Sequence, residues 1–515
     1  MFPAFSVAAV RAAEEELLAV QTQPDELMRQ AAQAVAQAAQ ALTQPGDAVL
    51  VVAGPGGNGG DGLYAASLLA PTRQVTVVFA DDKARNRVQP AGVAVVEVAK
   101  LPADYRCALL IDAIAGLASS RPVDEHLAAL SARAERVLAI DVPTGVDADT
   151  GQAASPCIHA DVTITFGAAR AAHAFAPECG RVVVADLTLP QATRTFGEIL
   201  RADAQPVAWM VQEDSLPTTV HAWPSPLTPV PHLTGIPDVT PTVSSHKYTD
   251  GVTVLAAGSE KYPGAGLLAA TGALHTTASM VVAVPPESLR LLIISRHPEI
   301  VIAPSVTASP KVNCVVIGPG RGTDALAADE LRTTLTLPVP VLIDADAIHL
   351  IAQHDDIQDL VRQRHSAHKA TLLTPHAGEL ATLAAALGLE ADQPRAETLS
   401  AVTNSLHATV LLKGRTTLIT GSGLPILSVN AGNSFAATAG TGDVLSGICG
   451  ALLARLHTHT TELTQRSIAD TAAHAVVIHA HAAALAATTP AGYAPTTASA
   501  LAAAIPTAIA SLLSH

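Results

Sequence analysis

Short, continuous apolar segments of strand length alternate with helical patterns along both halves of the chain. In the first half these segments cover residues 48–53, 74–80, 107–112, 137–142 and 181–189. In the second half they cover residues 251–258, 313–317, 340–344, 371–374 and 409–413. Apolar runs without polar interruptions are typical of parallel strands that helices cover on both faces. The pattern therefore predicts an α/β protein, with one long helix over residues 7–41 before the first strand.

A proline-rich stretch separates the two sets of predicted strands. The chain has 515 residues, which exceeds what one hydrophobic core supports. Six prolines between residues 224 and 241 interrupt any helical or strand period. We therefore predict a Rossmann-like, doubly wound domain over residues 1–215, a semi-rigid linker over 216–243 and a second α/β domain over 244–515.

Composition excludes several classes of partner. The formal net charge of −15 and the aromatic content of 3% argue against a nucleic-acid surface and against an anionic membrane. The five cysteines show no CxxC spacing, which predicts neither a zinc site nor a disulfide framework and favours a cytoplasmic location. The N-terminus lacks the pattern of a signal peptide, and we expect the alanine-rich segment 472–487 to be a buried helix and not a membrane span.

The stretch NAGNSFAATAGTGDVLSGICG, residues 430–450, carries the most specific chemistry in the second half. Gly440, Thr441 and Gly442 precede Asp443, and a helix is predicted over 444–456. Backbone N–H groups at such a glycine-rich helix start bind anions, and Asp443 is placed to take a proton from a hydroxyl. This arrangement suits attack of a hydroxyl on a phosphoryl group. The alternative is an ordinary glycine-rich turn before a helix.

A second glycine-rich loop, GPGGNGGDG at 54–62, follows the first predicted strand. Gly54, Gly56 and Gly59 match the GxGxxG pattern of dinucleotide-binding loops, which allows an NAD-dependent oxidoreductase. The loop also contains the polar residues Asn58 and Asp61, which a plain pyrophosphate turn does not need. The sequence therefore favours a loop that also supplies oxygen ligands.

Polar residues lie at or after the carboxyl ends of three predicted strands of the first half. Asn58, Asp112 and Thr144 would meet where the carboxyl ends of parallel strands line one crevice. An amide oxygen, a carboxylate and a hydroxyl together suit a hard cation. Asp141 would remain available for acid–base work at the same edge. The alternative is that Asp112 and Asp141 only cap the turns that follow them.

Four motifs in the first half resemble the NAD(P)H-hydrate epimerase domain family. They are GPGGNGGDG at 54–62, IDAIAG at 111–116, DVPTGVDADTG at 141–151 and ADVTITFGAAR at 160–170. The resemblance implies a potassium ion on Asn58, Asp112 and Thr144. It also implies that the hydrated nicotinamide cofactor touches Gly57, Asn58, Gly59, Gly60, Asp61, the segment 116–122 that begins at Gly116, and Asp141, which would be catalytic.

The first half departs from the family pattern at two positions. Gly57 stands where the family loop has an asparagine, and Arg170 stands where a lysine is usual. A guanidinium keeps its proton and its charge at any working pH, so it is a poor proton donor or acceptor, although it stabilises negative charge. Two readings follow: a working epimerase, or a first domain that only binds its ligand.

The second half is similar to the ADP-dependent NAD(P)H-hydrate dehydratase family, which has a ribokinase-like fold. The similarity lies in SSHKYTDG at 244–251, AGSEKYPGAG at 257–266, RHPE at 296–299, IGPGRG at 317–322, LIDADAIHL at 342–350, LLTPHAGEL at 372–380, LLKG at 411–414 and NAGNSFAATAGTGDVLSG at 430–447. Fused behind an epimerase domain, these motifs look like a bifunctional NAD(P)H-hydrate repair enzyme. Its substrates would be the hydrates NADHX and NADPHX.

This resemblance assigns roles in the second half. Asp443 would deprotonate the substrate hydroxyl, and the amides of 440–442 would hold the phosphoryl group of ADP or ATP. The implied nucleotide-binding residues are Lys413, Gly414, Arg415, Thr416, Thr417 and Gly442. The implied hydrate-binding residues are Ala265, Gly320, Gly322, His376 and Asp443. Magnesium is expected on the phosphates, held through waters by Asp344, Asp346 or Glu379. His376, Asp344 and Asp346 have an alternative role as helix caps.

Two other functions remain as alternatives to cofactor repair. A small-molecule kinase of the ribokinase-like class shares the glycine-rich hole before Asp443, and an oxidoreductase rests on GxGxxG alone. The alanine-rich helices offer faces for association, so we expect a homo-oligomer.

Overall fold

The computed structural model describes the whole chain except residues 87–91, 118–119, 213–226, 230–235, 278, 310, 391–392, 461 and 514–515. Contacts divide the chain into two compact units, one built mainly from Met1–Gln212 and one mainly from His232–His515. Most of the predicted linker lies outside the described residues, and its described part includes a strand of the first unit, Leu227–Pro229. The predicted domain boundaries stay a prediction.

The first unit contains eleven strands and six helices among its described residues. The strands are β1 (Phe2–Phe5), β2 (Ala48–Ala53), β3 (Gln74–Phe79), β4 (Ala94–Val95), β5 (Leu109–Ala113), β6 (Val137–Ile140), β7 (Val162–Phe166), β8 (Ala169–Arg170), β9 (Arg181–Ala185), β10 (Ala208–Gln212) and β11 (Leu227–Pro229). The helices are α1 (Val7–Ala19), α2 (Glu26–Leu42), α3 (Gly57–Leu69), α4 (Glu125–Ser131), α5 (Ala171–Phe175) and α6 (Phe196–Asp203).

The main sheet of the first unit has the order β11-β9-β7-β6-β5-β2-β3-β4. All of its strands are parallel except β11, which runs antiparallel to β9. The chain direction across the sheet reverses at β2, because β3 and β5 pair on its two sides. In doubly wound sheets a ligand crevice forms at such a switch point, outside the carboxyl ends of the strands. Strand β1 pairs antiparallel with β10 and parallel with β8.

The predicted single helix over 7–41 is wrong, because the chain turns between α1 and α2. Pro24 lies in this turn and lacks the N–H that a continuous helix would bond to the carbonyl of Val20. Asp25 adopts φ 59°, which also breaks the helix. The turn brings α1 against the carboxyl edge of the sheet, where it forms part of the site described below.

The second unit contains eleven strands and ten helices among its described residues. The strands are β12 (Val252–Ala256), β13 (Met280–Ala283), β14 (Val301–Ile302), β15 (Cys314–Ile317), β16 (Val341–Ile343), β17 (Thr371–Leu373), β18 (Thr409–Leu412), β19 (Thr416–Thr420), β20 (Ile426–Asn430), β21 (Thr488–Thr489) and β22 (Gly492–Tyr493). The helices are α7 (Pro263–Thr276), α8 (Arg290–Arg296), α9 (Ala325–Thr336), α10 (Asp346–Gln353), α11 (Asp355–Ser366), α12 (Ala377–Ala386), α13 (Arg395–Leu406), α14 (Thr441–His459), α15 (Gln465–Ala487) and α16 (Ala498–Leu513).

The sheet of the second unit has the order β14-β13-β12-β15-β16-β17-β18-β19-β20. The strands are parallel as far as β18, and β19 and β20 add an antiparallel edge. The predicted strands of both halves are confirmed to within a few residues at each end. The α/β class predicted from the apolar segments is likewise confirmed.

Glycines bring α14 unusually close to α7 in the second unit. A Cβ added at Gly447 would lie 2.1 Å from the carbonyl oxygen of Ala269, and one at Gly272 would lie 2.4 Å from that of Val444. Only glycine permits this approach of the two backbones. The contact fixes the position of the first turn of α14, which carries Asp443.

The long apolar helix α15 is a core element. Of the described helices it alone has the length and apolar composition that a bilayer crossing needs, and 78% of its most apolar window is buried inside the protein. The prediction of a buried helix over 472–487 is confirmed.

All five cysteines are free, and four of them are buried. Burial raises the pKa of the Cys107 thiol to about 11 and that of Cys314 to about 12. Burial also raises the pKa of Cys179 and of Cys449. Cys157 is half-buried, and its Sγ lies 3.7 Å from Nε2 of His159.

Candidate active sites

The glycine-rich loop after β2 is shaped by backbone contacts that exclude side chains. A Cβ at Gly54 would lie 1.8 Å from the carbonyl oxygen of Ile114, and one at Gly59 would lie 1.8 Å from that of Gly54. A Cβ at Gly57 would meet nothing within 4 Å. The first two glycines are therefore required by the fold, whereas the glycine at position 57 leaves open space where the resembling family has an asparagine side chain.

A cavity of about 590 Å³ lies above this loop in the first unit. Five of the residues predicted to touch the hydrate line it: Gly57, Asn58, Asp61, Gly116 and Asp141. Gly59 and Gly60 are buried in the first turn of α3 and do not line the cavity. Within the predicted segment 116–122, residues 118–119 lie outside the described residues. The remaining wall comes from α1, α2 and residues near β7, β9 and α6.

The three residues predicted to hold potassium lie at one edge of the sheet: Asp112 near the end of β5, Thr144 after β6, and Asn58 in the first turn of α3, after β2. The Asp112 carboxylate accepts hydrogen bonds from the backbone N–H of Thr144 at 2.8 Å and from its hydroxyl at 2.7 Å. Nδ2 of Asn58 donates to the carbonyl oxygens of Ala115 and Ile140, at 2.9 and 2.6 Å. Asp112 is 1% exposed, and burial raises its pKa, against the hydrogen bonds from Thr144. No ion pair to Asp112 is found among the described residues, so a cation beside it would offset the cost of burying its charge.

Asp141 forms a buried ion pair with Arg170. The Arg170 Nη2 lies 2.9 Å from Asp141 Oδ1, which also accepts from the Thr165 hydroxyl at 2.8 Å. The other terminal nitrogen of Arg170 donates to the carbonyls of Phe166 and Ala168. Arg170 is 2% exposed, and its Nε has no partner among the described residues. The arginine that replaces the usual lysine thus fixes the carboxylate predicted to be catalytic.

His173 completes this network from α5. Its Nδ1 accepts from the backbone N–H of Arg170 at 2.9 Å, so Nε2 carries the proton and donates to the Asp141 carbonyl at 2.6 Å. Burial lowers the pKa of His173 to about 4, which keeps the ring neutral. Asp141 adopts φ 65°, a left-handed conformation that is strained for a non-glycine residue. The two backbone bonds of His173 hold Asp141 and Arg170 in place.

The predicted anion hole of the second unit lies at the start of α14. Gly440 adopts φ 87° and turns the chain into the helix, so Thr441, Gly442 and Asp443 form its first turn. The carbonyl of Thr441 accepts a 2.9 Å hydrogen bond from Nε2 of the buried His479. Burial lowers the pKa of His479 to about 4. A neutral histidine therefore anchors the helix start. The N–H of Thr441 donates to the Thr438 carbonyl at 3.5 Å, and the N–H groups of Gly442 and Asp443 belong to the first turn, where an α-helix supplies no carbonyl partner.

Asp443 lies among other charged groups in the second unit. Its pKa is raised to about 6: burial contributes most, Asp344 and Asp346 also raise it, and Lys413 lowers it. Asp443 is half-buried. A carboxyl group with this pKa accepts a proton near neutral pH more readily than an ordinary aspartate does.

Lys413 is bound tightly at the end of β18. Its Nζ lies 2.7 Å from Asp344 Oδ1 and 4.0 Å from Glu379 Oε2. The other oxygen of Asp344 accepts from the Ser446 hydroxyl at 2.6 Å. Burial lowers the pKa of Lys413, but the two carboxylates outweigh it and the pKa is raised. Lys413 therefore stays charged beside Gly442, where a Cβ would lie 3.6 Å from its Nζ.

A second cavity, of about 230 Å³, adjoins the start of α14. Five of the predicted nucleotide-binding residues line it: Lys413, Gly414, Arg415, Thr417 and Gly442. Thr416 does not line the cavity; it is 1% exposed in β19. Asn433 and Ser434, from the loop before α14, also line the cavity.

Among the residues predicted to bind the hydrate, Ala265 lies in the first turn of α7, Gly320 and Gly322 lie in the loop after β15, and His376 is the N-cap of α12. Gly320 packs on Ala265, because a Cβ added at Gly320 would lie 2.8 Å from the Ala265 Cβ. The backbone N–H of Gly322 donates to Asp346 Oδ2 at 2.8 Å. His376 caps α12, and its Nδ1 accepts from the N–H of Gly378 at 3.0 Å. Its side chain is 60% exposed, so the ring both caps the helix and faces solvent.

The three carboxylates expected near magnesium have protein partners. Asp344 binds Lys413 and Ser446, and the Glu379 carboxylate accepts from the backbone N–H of His376 at 2.8 Å. Among the described residues no group of three or more His, Cys, Asp or Glu side chains is arranged to hold a metal ion. These residues fit a magnesium ion carried on nucleotide phosphates and reached through water, and they do not fit a direct protein cage.

Comparison with known proteins identifies the family to which the chain belongs. A family model described as NAD(P)H-hydrate dehydratase matches residues 253–506, and one described as YjeF-related protein N-terminus matches residues 24–172. The bifunctional NAD(P)H-hydrate repair enzyme Nnr of Corynebacterium glutamicum is 35% identical over 99% of both chains. The chain belongs to the bifunctional NAD(P)H-hydrate repair enzyme family.

Other members of the repair enzyme family align over the same length. Nnr of Mycobacterium leprae is 37% identical over 99% of both chains. Among solved structures, an ADP/ATP-dependent NAD(P)H-hydrate dehydratase of Bacillus subtilis is 24% identical, with a TM-score of 0.43, and the match covers 53% of this chain and 94% of that one. The predicted α/β fold class, a doubly wound first unit followed by a mostly parallel α/β unit that matches the dehydratase family model, is confirmed for this member of the repair enzyme family.

Sequence reasoning missed several residues of this repair enzyme's sites. Arg11 and Glu14 line the first cavity from α1, and His479 and Ser446 support the second site. Glu14 had a detectable signal, because it follows the buried Val10 by four positions and so shares the apolar face of a predicted helix. His479 had none, since a histidine in an alanine-rich helix is more often a core residue.

Proposed function

We propose that the second unit phosphorylates the hydroxyl of hydrated NAD(P)H with ADP and then eliminates phosphate to regenerate NAD(P)H. The hydroxyl oxygen of the hydrate attacks the terminal phosphorus of ADP, and AMP leaves. The proton of that hydroxyl passes to Asp443. Loss of phosphate and of a proton from the neighbouring carbon then restores the double bond. Phosphorylation is needed because hydroxide is a poor leaving group and phosphate is a good one. The observation that supports this proposal most strongly is the half-buried Asp443, with its raised pKa, in the first turn of α14.

The anion hole and Lys413 would stabilise the transferred phosphoryl group. The N–H groups at the start of α14 and the positive end of the helix dipole favour negative charge there. Lys413 is held beside Gly442 by Asp344, so it adds a fixed positive charge. Preorganised charge of this kind lowers the barrier because it requires no rearrangement during the reaction. Magnesium would supply further positive charge on the phosphates when it is bound.

We propose that the first unit interconverts the two epimers of the hydrate, so that the second unit can consume both. The cavity brings Asp141 and Asn58 to one wall with the Gly-rich loop. Oδ1 of Asp141 is committed to Arg170 and Thr165, while Oδ2 has no hydrogen bond among the described residues. Asp141 would use this oxygen to bind the hydroxyl of the substrate and to take its proton. NADHX and NADPHX are the proposed substrates of both units.

Potassium is proposed beside Asp112, with Asn58 and Thr144 as the other side-chain ligands. We expect potassium chloride to raise the temperature at which the first unit unfolds, compared with choline chloride at equal ionic strength. The increase arises because a bound cation stabilises the buried Asp112 carboxylate and the folded state that creates the site. Differential scanning calorimetry of the full chain measures the shift.

Asp112→Asn tests whether this carboxylate is responsible for the shift. The variant keeps the shape of the side chain and removes its charge, so the difference between the two salts should vanish. Asp124→Asn, at the N-cap of α4, is the matched control and should keep the difference. An equal response to both salts in the native chain would remove the potassium proposal.

The experiment that tests the whole proposal follows NADH absorbance from a mixture of both hydrate epimers with ADP, magnesium and potassium. Conversion of all the hydrate above the spontaneous rate of epimerisation establishes both activities. Conversion that stops when one epimer is exhausted leaves a dehydratase whose first unit only binds ligand. A phosphorylated product that accumulates without NADH supports the kinase reading, and no reaction at all rejects the repair proposal for this chain.

A further inference from the structure

Helix α1 forms one wall of the cavity in the first unit and adds the carboxylate of Glu14 to those of Asp25, Asp61 and Asp141. One face of this helix is buried and carries Val10, Ala13 and Leu17. Glu14 lies on the same side, between Val10 and Leu17, and it lines the cavity together with Asp141 and Arg170. The break at Pro24 makes this placement possible, because a continuous helix over 7–41 would not fold back on the crevice.

Of the four carboxylates that line the cavity, Asp141 and Glu14 have different surroundings. Oδ1 of Asp141 is bound by Arg170 at 2.9 Å. Glu14 is half-buried, and within the described part of the chain it has no hydrogen bond and no ion pair within 4 Å. Burial raises the pKa of Glu14, and Asp141 raises it further, while Arg170 and Arg11 lower it and Glu15 raises it slightly. Two acids in one site whose environments differ in this way are suited to opposite roles in proton transfer.

Inversion of the hydrate needs both roles. The hydroxyl sits on the carbon next to the ring nitrogen, so the ring opens when the C–N bond breaks. The hydroxyl proton leaves to a base, the C–O bond becomes a carbonyl, and the electron pair of the C–N bond goes to the nitrogen, which takes a proton from an acid. Rotation about the adjacent C–C bond and closure on the other face reverse each transfer. Protons and electrons balance without any further reactant.

We propose that Glu14 is the acid of this step, giving its proton to the ring nitrogen and taking it back on closure, while Asp141 serves the hydroxyl. Arg170 stays charged throughout and holds Asp141 in position. The inference rests on the proposed epimerase activity of the first unit. It explains how the chain works without a lysine at position 170, because the proton comes from α1.

Glu14→Gln in the full chain tests the proposal. With both hydrate epimers, ADP, magnesium and potassium, NADH forms in two phases, a fast one from the epimer that the second unit consumes and a slow one limited by epimerisation. We expect the slow phase, after subtraction of the spontaneous rate, to fall about 100-fold, as for loss of a general acid. The fast phase should keep its rate and amplitude. Glu15→Gln, the exposed neighbour on α1, is the matched control and should change neither phase.

A pH profile separates proton transfer from a structural role. In the native chain the rate of the slow phase should decline as pH rises through the raised pKa of Glu14, because only the protonated acid can give a proton. The charged groups that act on this pKa are Asp141, Arg170, Arg11 and Glu15. Glu14→Asp should keep this decline at a reduced rate, and Glu14→Gln should lose it. A Glu14→Gln slow phase within threefold of the native rate, or one with an unchanged pH profile, would overturn the proposal. Absence of a slow phase above the spontaneous rate in the native chain itself would instead remove the epimerase function on which it rests.

Discussion

Replacement of Asp443 by Asn is expected to lower the rate of NADH formation from the hydrate by about 10³-fold, within the range for loss of a general base. Asn has nearly the same shape, but its amide does not accept the hydroxyl proton. The native rate should also fall as the pH drops below about 6, because the pKa of Asp443 is raised to about 6 and only its ionised form accepts a proton. Single-turnover absorbance measurements over the pH range record both effects.

The control for this prediction is an aspartate of the same unit away from the site. Asp359→Asn removes a carboxylate that is 63% exposed on α11, and it should leave the rate and its pH dependence unchanged. The Asp443→Asn chain should retain conversion of one epimer into the other, since that step belongs to the first unit. Asp443→Asn with more than a tenth of the native rate would show that another group takes the proton.

Replacement of Asp141 by Asn is expected to abolish epimerisation and also to destabilise the first unit by about 3–5 kcal/mol. The loss of stability follows because the buried guanidinium of Arg170 would remain without its carboxylate. Both side chains are almost fully buried, at 2% and 6% exposure, so solvent does not screen the pair. Peptide-resolved hydrogen exchange of β6 and β7 measures the stability of this unit separately from the other.

The double variant Asp141→Asn, Arg170→Met separates stability from catalysis. With both charges removed, protection of the β6 and β7 amides should recover most of the loss, while epimerisation stays absent. The NADH-forming fast phase should be unchanged in both variants, because it belongs to the second unit. If the single variant is as well protected as the native chain, the ion pair is not the element that holds this wall of the cavity.

The strands were predictable from the sequence because both faces of each parallel strand are buried. Every residue of β2 and β5 must then be apolar, apart from the site residue Asp112, and a run of this kind is visible without knowledge of the partner strands. The small strands β1, β8 and β10 gave no such signal, since they are short and pair with residues far away in the chain. The break between α1 and α2 had a signal that the prediction did not use, because residues 21–26, QTQPDE, are polar and include Pro24.

The first site was predictable where it depends on strand ends and unpredictable where it depends on loops. Asp112 and Thr144 follow neighbouring parallel strands, so the rule for the carboxyl edge of a sheet places them together, and they are hydrogen-bonded. The pair of Arg170 with Asp141 joins residues 29 positions apart (170 minus 141) through the turns after β6 and β7. Its geometry depends on the left-handed conformation of Asp141 and on His173, and no local pattern specifies either.

The burial of the cysteines has a consequence for the lifetime of the protein under oxidants. Peroxides attack the thiolate and not the neutral thiol, so a cysteine that is both enclosed and hard to ionise reacts slowly. Cys107, Cys179, Cys314 and Cys449 all meet both conditions. Neither proposed reaction uses a sulfur atom. We therefore expect the proposed reactions of this repair enzyme to be insensitive to peroxide attack at these four cysteines.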